Sequence, residues 1–259
     1  MRRGDSHDFG SPHGAALFVM AALMLGALSA VAGEPAPFCA AAKEPIDADP
    51  KLAAAVAAAF GKATFQAKGE GCLYALRVLR YASADVLVVQ AGEPGEGCHG
   101  CEAILSAYVL QRINGGLKTV ARFHEFASLG THGAVGDISP IEINGDDGIA
   151  IESGGTFQGY SSTAVDFYAF HAGRLVSLND TPIIVAADNS GASVDPSQAV
   201  EATATWFFDP ADKTALVVDY KIQAHGASRV ERAVWRLQGT SLVLSRGRVP
   251  PEVSKASGG

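Results

Sequence analysis

ISPIEINGDDGIAIESGGTFQGYSSTAVDFYAFHAGRLVSL, residues 138–178, is the stretch against which the rest of the chain reads most clearly. Residues 140–143 and 148–151 are short apolar runs flanking Asn144-Gly145-Asp146-Asp147, a turn-forming cluster of the kind that joins hairpin strands. Residues 164–171 and 174–178 make a second pair across Ala172-Gly173. The segment is expected to fold as four short antiparallel strands.

Strand patterns of the same kind lie on both sides. Before it come residues 73–81, 86–91, 102–112 and 117–123, the last two separated by Ile113-Asn114-Gly115-Gly116. After it come residues 203–209, 215–224, 228–237 and 241–245. In the second of these, Leu216, Val218, Tyr220 and Ile222 alternate with Asp219, Lys221 and Gln223. The three groups align on their second halves: Tyr108, Tyr168 and Trp235 are each followed by an apolar residue, a glycine-bearing turn and a leucine. The fold class expected is all-β, an antiparallel meander of three four-stranded units arranged like propeller blades, with a β-sandwich or barrel as the alternative.

The Asn-Gly-Asp-Asp-Gly hairpin and the spacing of the units resemble the FG-GAP and VCBS-type blade repeats of secreted and surface proteins. That resemblance implies a calcium-holding loop of the form D-x-N-G-D-G closed by a further acidic residue. Glu142, Asn144 and Asp146 match its first three oxygen-bearing positions, Asp147 replaces its glycine, and Ala150 replaces the closing carboxylate. Calcium takes six to eight oxygens, so no metal is expected here and the loop reads as a plain hairpin turn.

The ends read differently from the middle. Arg2 and Arg3 precede an apolar run over residues 15–30 that ends in Ala30-Val31-Ala32, so residues 1–32 are read as a signal peptide cleaved after Ala32. A single β-rich domain is expected over residues 33–246 and a disordered tail over 247–259. Residues 50–60 form the one expected helix: Asp49 caps it, Pro50 opens it, Gly61 ends it, and Leu52, Val56 and Phe60 make its stripe. The chain carries a net charge of -7 with no basic face, which argues against nucleic acid and anionic membranes as partners. No membrane span is expected after processing, and the location is read as periplasmic or secreted.

The sharpest chemical signal is Gly97-Cys98-His99-Gly100-Cys101. Haem attachment would need histidine where Glu102 stands, and a thioredoxin-like centre would open a helix where a strand follows. Zinc would need two more ligands, for which Cys39, Cys72, His99, His124 and His132 would have to converge. An even count of four cysteines in an exported chain reads instead as two disulfides, with Cys98–Cys101 and Cys39–Cys72 the preferred pairing. No lipase elbow, zincin, P-loop or dinucleotide fingerprint is present, and Ser161, Ser162 and His171 form no recognisable triad. No cofactor is expected.

Glycine-rich polar loops precede the aligned aromatic strands at residues 92–101, 153–163 and 225–228. Were the units equivalent, these loops would share one rim, with Glu93, His99, Glu152, Gln158, Tyr160 and His225 around a binding surface. The function expected is an exported binding or scaffold domain for an unknown small molecule or protein. The alternatives are a thiol–disulfide protein using Cys98 and Cys101, or a hydrolase without a familiar motif.

Overall fold

The computed structural model describes residues 37–66 and 71–256. The expected signal peptide and its cleavage point lie outside them. Among the described residues no helix is long and apolar enough to cross a membrane.

Among the described residues the chain is mostly β, with 61% in strands arranged as two sheets. The first sheet contains β1 (Pro37–Cys39), β2 (Thr64–Gln66), β3 (Leu73–Arg80), β4 (Asp85–Ala91), β5 (Ala103–Ile113) and β6 (Gly116–Leu129), in the order β2-β1-β3-β4-β5-β6. It is mixed rather than a pure meander, because β1 pairs in parallel with both β2 and β3. Parallel neighbours need a long crossover, and α1 (Lys43–Ala48) and α2 (Pro50–Phe60) supply it. The single helix expected is therefore accompanied by α1, whose Ile46 is buried and whose Lys43 and Asp47 pair one turn apart. In α2 the Asp49 side chain accepts from the Lys51 amide, and Leu52, Val56 and Phe60 pack on the sheet beside Phe38, Leu87 and Leu110.

The second sheet holds β7 (Ile138–Ile143), β8 (Asp146–Phe157), β9 (Tyr160–His171), β10 (Arg174–Ser177), β11 (Ile183–Asp188), β12 (Val200–Asp209), β13 (Asp212–Ala224), β14 (Ala227–Gln238) and β15 (Ser241–Gly247). Its order is β15-β14-β13-β12-β11-β9-β8-β7, with β10 also on β9. No propeller forms. β11, an apolar strand outside the three expected groups, bonds to β9 on one side and β12 on the other, fusing the second and third groups into one sheet. The aligned aromatic segments are each one hairpin, β5–β6, β9–β10 and β14–β15, so their likeness is that of a shared local turn.

The turns explain why strand lengths differ from expectation. Asn114-Gly115, Asn144-Gly145, Gln158-Gly159, Ala172-Gly173 and His225-Gly226 are two-residue hairpin turns with positive φ at both positions, the mirror-image geometry that matches strand twist. A two-residue turn leaves Asp146 and Asp147 inside β8. It likewise makes residues 153–163, expected as a loop, the paired ends of β8 and β9.

Two cores lie on either side of β8 and β9. Ile149 and Ile151 meet Val86, Val88, Leu105 and Leu129 of the first sheet, which joins the two sheets face to face. The first sheet is a curled half-barrel. On the opposite face of β8 and β9, Ala150, Val165 and Phe167 pack with Leu216, Tyr220 and Trp235 on the inner face of the second sheet, which also bends, far enough for its β7–β8 turn to bond to β13. There the Asn144 amide donates to the Lys213 carbonyl (3.0 Å) and Lys213 pairs with Glu142. Asp146 is engaged by His171 at 2.8 Å. Glu142 and Asp146 of the calcium-like loop are thus each paired with a basic side chain.

The tail is also corrected. Residues 251–256 form α3 (Pro251–Ala256) instead of disordered chain, and Val253, 1% exposed, joins the core of the second sheet. Pro251 opens this short helix, Val253 with Val249 just before it packs on the core, and Arg229 pairs with Glu252 at 2.6 Å.

Both disulfides have the preferred pairing. Cys39 and Cys72, 2% and 5% exposed, staple β1 to the start of β3 across a separation of 33 residues. Chain-closure entropy gives roughly 4 kcal/mol for that loop and at most about 2 kcal/mol for the three-residue Cys98–Cys101 separation. Replacing Cys39 and Cys72 by alanine is expected to lower the unfolding free energy markedly more than replacing Cys98 and Cys101 by serine, as read by urea denaturation.

Asp166 gives a pH-dependent prediction. It is 8% exposed, its Oδ1 accepts from Asn179 Nδ2 at 3.2 Å, and its Oδ2 has no partner among the described residues. Burial raises its pKa and the Asn179 bond offsets this only in part. A carboxyl whose folded pKa lies above its unfolded value costs stability as pH rises through that unfolded value, and costs nothing below it. Asp166→Asn is therefore expected to gain about 1 kcal/mol at pH 7. The gain should vanish below about pH 4 in denaturation curves taken across that range.

Candidate functional site

Beyond Ile151 and Asp166 the β8–β9 hairpin runs on past the cover of the first sheet, and its end floors a groove of about 660 Å³. Cross-strand register sets the floor: Ser153 opposite Ala164, Gly155 opposite Ser162, and Phe157 opposite Tyr160 share one face. Four small residues leave a channel there. Two aromatic residues close its outer end, and Phe157 is 62% exposed. A second hollow of about 580 Å³ beside α2 is walled chiefly by alanines with Arg80, Asp85 and Arg112, and it lacks such an aromatic rim.

The opposite wall is His99 and Gly100 from the Cys98–Cys101 loop, with Gly130 and Thr131 from the segment after β6. These two segments are laced together by main-chain bonds. Gly97 N donates to the His132 carbonyl (3.1 Å), Gly133 N to the Cys101 carbonyl (2.7 Å), and His132 N to the His99 carbonyl (3.4 Å). From below, the buried Gln90 donates through Nε2 to the Gly133 carbonyl at 2.7 Å. Thr131 Oγ1 donates to the Gly154 carbonyl at 2.9 Å, tying this wall to the floor. At the top His99 Nδ1 and His132 Nε2 are 2.8 Å apart, their rings edge to face, and His99 also faces Phe157 with centroids 5.8 Å apart.

The lining has a definite electrical character. It contains Lys255 and His99 but no carboxylate, in a chain of net charge -7. An anion entering the groove meets no repelling neighbour on its walls.

Of the residues expected at a shared site, His99, Gln158 and Tyr160 line this groove together. Glu93 and Glu152 do not. The Glu93 carbonyl accepts from the Glu96 amide, and Glu152 is tied through its main chain to Gly136 and Asp137. His225 stands apart, its Nδ1 3.1 Å from the Ser197 carbonyl in a separate hollow with Asp188 and Glu201. Residues missed as lining of the groove are Thr131, Phe157 and Lys255, while His132, named only as a possible zinc ligand, stands beside it against His99. Phe157 was readable as an apolar residue beside a turn, and the flanking glycines of Gly130-Thr131-His132-Gly133 marked a close approach. Lys255 gave no signal, because its placement depends on α3 docking.

The floor depends on Gly155. A Cβ there would stand 2.8 Å from Thr131 Oγ1 and 2.9 Å from its Cγ2. Gly155→Ala is expected to break the Thr131–Gly154 bond and cost about 1–3 kcal/mol, the usual range for overpacking. Thr131→Ala in the same chain should recover most of that loss. Urea denaturation of the two variants checks both parts.

No family model matches the sequence, no curated protein matches it and no solved structure matches its fold, so the groove's own geometry carries the functional reading.

Proposed function

We propose that this chain is an exported binding domain whose groove takes a small, flat aromatic or heteroaromatic ligand bearing an anionic group. The observation that carries the reading is the floor of Ser153, Gly155, Ser162 and Ala164, ending in exposed Phe157 and roofed by His99. Its volume lies in the range of small-molecule sites, which combine apolar contact with a few placed polar groups. Phe157 and His99 offer ring faces, while Ser162, Thr131 and Gln158 offer hydrogen bonds. Lys255 and the absence of wall carboxylates favour a negative charge. Two disulfides fit an oxidising compartment, in keeping with export.

8-Anilinonaphthalene-1-sulfonate has the stated chemistry and reports its own burial by fluorescence. It is expected to bind the folded protein saturably, one per chain. Ser162→Leu, which fills the floor, and Lys255→Glu should each weaken binding by about tenfold or more, or about 1.4 kcal/mol. Both variants must keep the wild-type melting temperature, since loosened cores also bind this dye. Absence of saturable binding, or equal binding by the filled groove, overturns the proposal.

A second reading is favoured by one contrast: Cys98 is exposed and Cys101 half-buried, whereas Cys39 and Cys72 are enclosed. An incoming thiolate could attack Cys98 Sγ, breaking the bridge and releasing Cys101 as the thiolate. Turnover of a disulfide-bonded test protein, with glutathione as the reductant, would favour this reading over binding alone.

A further inference from the structure

The geometry points to a metal site of which His99 and His132 are the protein ligands, suited to copper(II). Among the described residues these are the only two imidazoles in contact with each other, with His99 Nδ1 and His132 Nε2 2.8 Å apart and both side chains exposed. The other described histidines are differently placed. His171 meets the Asp146 carboxylate, His124 packs edge to face against Tyr108, and His225 lies against a carbonyl.

The 2.8 Å separation is that of a hydrogen bond between the two rings, one nitrogen donating and the other accepting. Imidazole nitrogens suit copper(II), which takes tetragonal sites of nitrogen and oxygen donors. Among divalent first-row ions copper also binds such donors most tightly. In forming the site each ring turns its lone pair from the other nitrogen towards a shared ion. Exposure leaves both rings free to do so.

The supports of the two rings are fixed even though the rings are not. His99 rides on a loop closed by the Cys98–Cys101 bridge, and His132 on the segment bonded to that loop through Gly97 and Gly133 and held by buried Gln90. His132 adopts a φ of 55°, in the left-handed region that non-glycine residues occupy at a cost and that is enriched at ligand-binding sites. This places two donors from segments 33 residues apart in sequence at one point.

No third histidine, cysteine or carboxylate joins the pair among the described residues. A bound ion therefore keeps equatorial positions for water or for an incoming ligand. Because His99 lines the groove, an anionic group seated there could take one of those positions. The metal site itself does not rest on the groove having a ligand.

The test uses tag-free, fully oxidised protein titrated with copper(II) and, separately, zinc(II). One copper per chain is expected, bound more tightly than zinc, with an electron paramagnetic resonance spectrum of axial form showing hyperfine coupling to two nitrogens. His99→Asn and His132→Asn should each abolish the two-nitrogen signal, while His171→Asn and His124→Asn retain it. Asparagine tolerates the positive φ at position 132. Should His132→Asn fail to fold, His99→Asn decides the matter alone. Absence of one-to-one copper binding, or an unchanged spectrum in His99→Asn, overturns the assignment.

Discussion

The middle of β8 is buried on both faces, and the rest of the molecule is arranged around that constraint. Ile149 and Ile151 face the first sheet while Ala150 faces the inner side of the second, all three fully enclosed. Truncating either isoleucine to alanine would cost about 2–5 kcal/mol, as for other large-to-small changes in packed cores. A register slip by one residue would exchange the two faces and spoil both cores together. β8 is therefore pinned in position and direction. Its partner β9 is fixed likewise, with Phe167 turned to the inner side of the second sheet and Tyr168 to the first sheet.

That pinning produces the groove. The hairpin is longer than the sheet that covers it, so residues 153–164 project beyond the inter-sheet core as a platform, with β9 still backed by β11. Inside the core the shared face carries isoleucines; outside it carries serine, glycine and alanine. The same periodicity that builds a core in one half thus builds an open floor in the other. Its remaining wall comes from main-chain bonds between the segments around Cys98 and His132, which leaves the exposed rings of His99 and His132 at its top, while Thr131 ties the wall to the floor. Gln90 supports that wall from a buried position through its Nε2, while its Oε1 has no partner among the described residues.

Local features were legible along the sequence. The capped helix α2, the glycine-bearing turns, the alternation in β13 and the even cysteine count each depend on residues close together in the chain or on simple counting. Three of the residues named in advance, His99, Gln158 and Tyr160, do share a groove. They meet, however, through the packing of two sheets and not through equivalent blades, so His225, named by the same argument, lies elsewhere.

By itself the sequence determined that this is a β-rich chain with glycine-bearing hairpin turns and a helix near its described start, because turn chemistry and side-chain alternation act within a few residues. Tertiary structure alone decided that β11 would fuse two groups into one sheet, that β1 would run parallel to its neighbours, and that α3 would close over a core. It also decided that His132 would meet His99. Those outcomes depend on which apolar faces find each other across long stretches of chain. Hydrophobic burial is non-directional and roughly proportional to area, so a strand's own residues specify that it must be covered but not by what.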